Sequence, residues 1–221
     1  MDENISYIIY VCDVETTGLI ADIHDIVEVS MCRLRISKDG KHEREQKTWL
    51  IKALNPSSIE DEALAVSGHK KEDVTHFSKF GKENYRLATD VVAEIEEWVT
   101  SDEVSAIDRI FAGQNPMFDV SHLQALWRKV GCENTFPFAL EKGNRIIDTK
   151  QIAILIDLCT GRRRQYYNLS SLVKAFGVKK GKAHQAAEDV RMTTDLLLAY
   201  LEPLMPLIFE KFKDCYLDSE E

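Results

Sequence analysis

The chain has no run of about 18 apolar residues, so no membrane-spanning helix is expected in its 221 residues. It also lacks any CxxC pair. Its five cysteines stand at 12, 32, 132, 159 and 215, an odd and scattered set. That pattern argues against a disulfide framework or a cysteine-based zinc site and fits a reducing, cytoplasmic setting. The opening Met-Asp-Glu-Asn has no basic segment and does not read as a secretory signal. Internal repeats and low-complexity linkers are missing, and only the tail Asp218-Ser-Glu-Glu reads as disordered. Cations are in deficit, with 28 Lys and Arg against 37 Asp and Glu, a net charge of −9. Wholesale, nonspecific wrapping of nucleic acid is thereby disfavoured. What remains, 44% hydrophobic and 29% charged residues, is the composition of a globular α/β domain, alone or with an extension.

The most informative stretch is Tyr10-Val-Cys-Asp-Val-Glu-Thr-Thr-Gly-Leu19. The run SYIIYVCDV reads as a buried strand, and residues two apart on a strand share a face. Asp13 and Glu15 therefore stand side by side at the end of an apolar element. Two like charges there repel unless a cation lies between them, and a divalent metal with oxygen ligands is the simplest remedy. Gly18 is expected to let the backbone turn sharply away. The plain alternative is a strand ending in two solvated acids, and this segment alone does not decide between them.

A second β-rich run, 25–36, is followed by the polar turn SKDGKHE and a third candidate strand at 48–52, together an antiparallel meander. Helical spacing then appears at 87–99. A short buried strand at 109–113 leads into a helix over 117–130 that stops at Gly131. Another short strand at 145–149 and a helix to about 158 come next. A capped short helix spans 168–176, and a last helix runs from about Ala186 to Leu201 ahead of a proline-punctuated extension. This order gives an α/β fold, a mixed sheet flanked by helices.

Three later positions join the first two acids. Asp119 falls one turn into a helix that follows a short strand, where Gly113 permits close approach and Asn115 is placed to cap or orient the turn. Alone, Asp119 reads first as an ordinary first-turn acid answering the helix dipole. His184 and Asp189 lie five apart, a rotation of about 500° on a helix, so a shared site needs His184 on the preceding loop. A histidine poised there suits proton transfer from water; the plain alternative is a surface histidine near an exposed acid.

In this order, DVETTGL, GQNPMFDVSHL and AHQAAEDV resemble the three motifs of the DEDDh branch of the DnaQ-like 3′–5′ exonucleases, RNase T-like domains of the ribonuclease H-like superfamily. The segment 55–74 and the helix NLSSLVKAFGV extend the resemblance over about 6–201, leaving 202–221 as a C-terminal extension of one domain spanning 1–221. The resemblance implies a ribonuclease H-like mixed β-sheet and hydrolysis of phosphodiesters at 3′ ends with two Mg²⁺ ions, for which Mn²⁺ substitutes. It implies that Asp13 bridges both ions, with Glu15 and Asp189 on the first and Asp119 on the second. His184 becomes the base that deprotonates the attacking water. Thr16 and Thr17 would meet the terminal sugar, and Leu19, Ala63, Val66 and Phe118 would form an apolar slot for the base, beside Asn115. One departure is Ser67, which stands where the family often has histidine before glycine, with His69 following instead.

Two basic clusters stand out: Arg162, Arg163 and Arg164 with two tyrosines, and Lys180 and Lys182 just before His184. Both suit contacts with a nucleic-acid backbone, and both read alternatively as solvated loops. The loops at 70–86 and 159–167 resemble those of the family's DNA-processing members more than those of its compact oligoribonucleotide-degrading ones, which implies DNA, single-stranded by preference, over RNA as the partner. A protein partner such as a polymerase is left open. An exoribonuclease of the same family and a non-catalytic nucleic-acid-binding module are the alternatives, and the second is disfavoured because no acid is lost. Ribonuclease H-like endonucleases and integrases share paired acids but lack the HxxxxD element, so His184 sets this chain apart from them.

Overall fold

A computed structural model describes residues 6–37, 40–75, 84–139, 145–182 and 184–212. Six strands form one mixed sheet in the order β4-β3-β2-β1-β5-β6. β1 (Ser6–Thr16), β2 (Ile26–Ser37) and β3 (His42–Ile51) make the expected antiparallel meander. β4 (Tyr85–Arg86) joins β3, β5 (Ile110–Gly113) joins β1 and β6 (Ile146–Asp148) joins β5, all in parallel.

β1 is apolar from Ile8 to Cys12 because both of its faces are covered there. Tyr10, Cys12 and Val14 pack into a cluster with α3 (Ala88–Thr100) and α4 (Met117–Lys129), through Ile95, Trp98, Leu123 and Trp127. Ile9 and Val11, on the other face, meet Val190 and Leu197 of the long helix α7 (Ala186–Phe212). Trp49, Trp98 and Trp127 are all core residues. Between these elements lie the short helices α1 (Asp61–Ser67) and α2 (Lys71–Val74), then α5 (Thr149–Thr160) and α6 (Leu169–Ala175).

Two boundaries differ by more than two residues from the expected ones. β3 starts at His42, not 48, because the polar run HEREQK pairs with β2 along an edge whose outer side meets only the two-residue β4. Exposed polar residues are what such an edge tolerates. α7 runs past Leu201 through Pro203 and Pro206. Leu201 and Met205 pack on the sheet, and that packing holds the helix through residues that disfavour it. Part of the 70–86 loop (76–83) and the acidic tail lie outside the described residues.

Candidate active site

Asp13 and Glu15 continue the Ile9–Val11 face of β1 toward α7, so strand alternation points both at that helix. Asp189 occupies the first turn of α7. One carboxylate oxygen from each of Asp13, Glu15 and Asp189 lies within 4.8 Å of the others, and all three residues are half-buried. The register of β1 against β2 shifts between Glu15 and Thr16, a bulge that ends regular pairing at the site.

Asp119 approaches from the opposite side. Pairing of β1 with β5 stops at Val11–Ala112, which leaves the Val14 N–H without a strand partner. That N–H donates to Asp119 Oδ1 at 3.0 Å. Asp119 is buried, beside Asp13 but outside the three-carboxylate group. Gly113 closes the crevice: a Cβ there would lie 3.2 Å from the Cys12 carbonyl oxygen and 3.1 Å from Pro116 Cβ.

Burial and mutual repulsion hold protons on this centre. Desolvation raises Asp13 well above the ordinary carboxylate range, and the charges of Asp119, Glu15, Asp189 and Glu28 raise it further. Glu15 is pushed up to about 8, first by burial and then by Glu28 and Asp189. Burial also raises Asp119, against the pull of the Val14 N–H, and Asp189, against the pull of His184. Among the described residues no Lys or Arg forms an ion pair with any of these four acids. Close-set oxygens lacking a counter-charge form a donor set that fits a hard divalent cation.

His184 lies on the loop before α7, exposed, as a shared site requires. Its φ of 61° is left-handed, a conformation uncommon for a side chain other than glycine and concentrated at functional positions. Its backbone N–H donates to Asp189 Oδ2 at 3.0 Å.

The Thr16–Asp25 loop is fastened internally. Thr16 Oγ1 donates to the Gly18 carbonyl at 2.7 Å. Thr17 is fully buried, with its N–H donating to the Asp25 carbonyl and its hydroxyl accepting from the Asp25 N–H at 2.9 Å, so it holds the loop. Gly18 lies in the bend expected after β1, and close packing adds a second reason for glycine there. A Cβ there would fall 2.5 Å from the ring of buried His24. That ring accepts from Ile20 N–H at Nδ1 and meets Glu60 through Nε2 at 3.2 Å.

Leu19 (77% exposed) and Val66 (58%) present apolar surface to solvent, Ala63 is half-buried, and Phe118 packs against His122 with ring centroids 4.3 Å apart. Asn115 does not cap α4; the capping position is Pro116, without a side-chain bond. Asn115 is instead left-handed (φ 62°), and its N–H donates to Asp148 Oδ1 at 3.1 Å. Arg162, Arg163, Lys180 and Lys182 are exposed. Arg164 differs from them. Its Nε lies 2.8 Å from buried Asp157 and its guanidinium sits over the Phe176 ring, so it fastens α5 to α6.

Sequence reasoning missed Glu28, which stands opposite Glu15 across β1 and β2. The signal was a lone acid in the apolar run IVEVSM. His69 Nε2 lies 3.1 Å from Glu28 Oε2, although off the line of a hydrogen bond, and its Nδ1 is 2.5 Å from the Tyr85 hydroxyl.

The RNase T exonuclease family model matches residues 10–197. The chain is 25% identical over 209 residues to a PolC-type DNA polymerase III of Staphylococcus saprophyticus, covering 95% of this chain and 12% of that protein. It is 26% identical over 215 residues to the 3′–5′ exonuclease DinG of Staphylococcus aureus, covering 95% and 19%. The chain thus spans under a fifth of the length of either relative. In fold it is similar to Escherichia coli exonuclease I, crystallised with a dT13 oligonucleotide. The TM-score is 0.69 at 16% identity, over 93% of this chain and 43% of that one. The mixed sheet flanked by helices is the ribonuclease H-like α/β fold that exonuclease I shares.

Proposed function

The chain belongs to the RNase T exonuclease family, and on that premise we propose that it hydrolyses phosphodiesters one nucleotide at a time from 3′ ends. The observation that carries this is the convergence of Asp13, Glu15 and Asp189 with a histidine tied to Asp189. Asp13, Glu15 and Asp189 would hold one divalent ion, and Asp13 and Asp119 a second. All-oxygen ligands suit Mg²⁺, with Mn²⁺ as a substitute. When bound, the ions neutralise charge that develops on the phosphate and lower the pKa of water.

The remaining steps fall to the chain's own groups. The His184 imidazole takes a proton from the attacking water as its oxygen reaches phosphorus. The bond from phosphorus to the 3′ oxygen of the preceding nucleotide breaks, releasing a nucleoside 5′-monophosphate and a new 3′ hydroxyl. Leu19, Ala63, Val66 and Phe118 offer apolar contact to the terminal base, a form of recognition that tolerates any base. Thr16, Thr17 and Asn115 shape this slot through the loops they fasten. Arg162, Arg163, Lys180 and Lys182 are free to meet the backbone behind it.

DNA, single-stranded by preference, is the proposed substrate. The relatives named for DNA polymerase III and the exonuclease I complex with dT13 support that reading. Residues 1–221 act as one exonuclease domain, with 202–221 as its extension. The proposed setting is cytoplasmic, and no described helix is long and apolar enough to cross a membrane.

The test is incubation with Mg²⁺ or Mn²⁺ and 5′-labelled single-stranded DNA, duplex DNA and RNA, beside an Asp13→Ala control. A ladder shortening from the 3′ end, strongest on single-stranded DNA and absent in the control, is expected. A ladder on RNA alone would make the chain an exoribonuclease. Binding without cleavage would make it a non-catalytic module.

A further inference from the structure

Three residues outside the family motifs connect the acidic centre to the helix proposed to grip the terminal base. Glu28 on β2 faces Glu15 on β1, and its charge contributes to the raised proton affinities of Asp13, Glu15 and Asp189. His69 follows the C-terminus of α1 by two residues, beyond Gly68, and α1 carries Ala63 and Val66. The His69 side chain is 8% exposed. One edge of its ring faces Glu28, whose side chain is 11% exposed, and the other is anchored on the hydroxyl of buried Tyr85 in β4. The ring also meets Tyr85 edge-on, with centroids 5.8 Å apart. A short turn with one buried imidazole between a carboxylate and a phenol is thereby fixed to two strands of the sheet.

We propose that His69 is a positioning residue, clamping α1 to the metal-side strands through Glu28 and Tyr85 so that the terminal nucleotide lies in register with the acids. The proposal rests on the reading of α1 as a base contact. Glu28 is one strand away from the ligand set, and the His69 ring is engaged by Glu28 and Tyr85. The imidazole engages Glu28 and Tyr85 with opposite edges, a pair of contacts that neither shorter amide can make alone. Asparagine, with the reach of Nδ1, approaches Tyr85. Glutamine, with the reach of Nε2, approaches Glu28.

The clamp predicts a specific split between variants. His69→Asn should lower kcat on single-stranded DNA by about tenfold or more, the scale for a displaced supporting group. Its affinity for a nucleoside 5′-monophosphate, measured by calorimetry with Ca²⁺ present, should fall by a similar factor. Mn²⁺ affinity without nucleotide should stay within about twofold, since no ligand is removed. His69→Gln, which keeps the Glu28 contact but not the one to Tyr85, should show a partial loss of both. Equal kcat and nucleotide affinity in His69→Asn and wild type, at whatever melting temperature, would make His69 merely structural and overturn the proposal. A fall in Mn²⁺ affinity in step with kcat would overturn it too, by placing Glu28 among the ligands. Absence of cleavage by the wild type would instead defeat the exonuclease reading, and the nucleotide affinities would still decide whether the clamp operates.

Discussion

The main-chain N–H of His184 donates to Asp189 Oδ2 at 3.0 Å, which couples the backbone of the proposed base to a proposed metal ligand. The imidazole takes no part in that bond and remains exposed. Exchange of the side chain should therefore leave the carboxylates in place. His184→Asn suits the test, because asparagine tolerates the left-handed backbone there. Turnover should fall by about 10²- to 10⁴-fold, the usual worth of a general base, while Mn²⁺ affinity by calorimetry changes little. Near-normal turnover would remove His184 from the mechanism.

Gly18→Ala should disturb the loop that carries Leu19. The new Cβ meets the His24 ring at 2.5 Å, and that ring is buried and held by Ile20 and Glu60. A loss of about 1–3 kcal/mol in urea unfolding is expected, the scale of overpacking a tight site. Adding His24→Ala vacates the space, so the double variant should be more stable than the two single losses sum to. Strict additivity would mean that the two residues are not in contact.

Much of the site was legible because its geometry is local. The period-two alternation of β1 sets Asp13 beside Glu15, and the HxxxxD spacing forces His184 off the helix; both depend on a few consecutive residues. What escaped the reading depends on pairing across the chain. Glu28 reaches Glu15 only through the β1–β2 register, and His69 reaches Glu28 only because the chain leaving α1 returns to β2. The same applies to Arg164, whose partner Asp157 lies on α5, and to β3, whose polar residues became a strand only by pairing with β2. Gly18 lies in the expected bend, and its second constraint, the His24 ring packed against it from six residues away, was not legible.

The raised carboxylates set the pH dependence of the metal-free protein. Glu15 moves from 4.5 to about 8 on folding, with Asp13, Asp119 and Asp189 shifted in the same direction. The folded chain then holds more protons than the unfolded one between those limits, so stability is greatest below the unfolded value and declines as pH rises toward 8. The melting temperature without metal should drop by about 5 °C or more between pH 5 and pH 8.5. Added Mn²⁺ should reverse the drop at high pH and release protons, measurable by calorimetry in buffers of different ionisation enthalpy. A melting temperature that climbs across this window would contradict the assignment.

Away from the site, Asp102 anchors the middle of β1 through Tyr10. Its carboxylate accepts from Tyr10 Oη at 2.8 Å and from Arg109 Nε at 2.9 Å and Nη2 at 2.7 Å, with both charged side chains almost wholly buried. Asp102→Asn leaves the Arg109 charge without its partner and should cost about 3–5 kcal/mol in denaturant unfolding. At 25 °C the folded fraction should retain its kcat. A loss below about 1 kcal/mol would show that water or another acid replaces Asp102.

The most direct measurement is the identity of the first product. Single-stranded DNA with a distinctive 3′-terminal nucleotide is cleaved with Mg²⁺ in H₂¹⁸O, and the small products are resolved by mass spectrometry. Attack of water at phosphorus with departure of the neighbouring 3′ oxygen predicts that terminal nucleotide as its 5′-monophosphate carrying one ¹⁸O. Nucleoside 3′-monophosphates, internal fragments, or release beginning from the 5′ end would contradict the account.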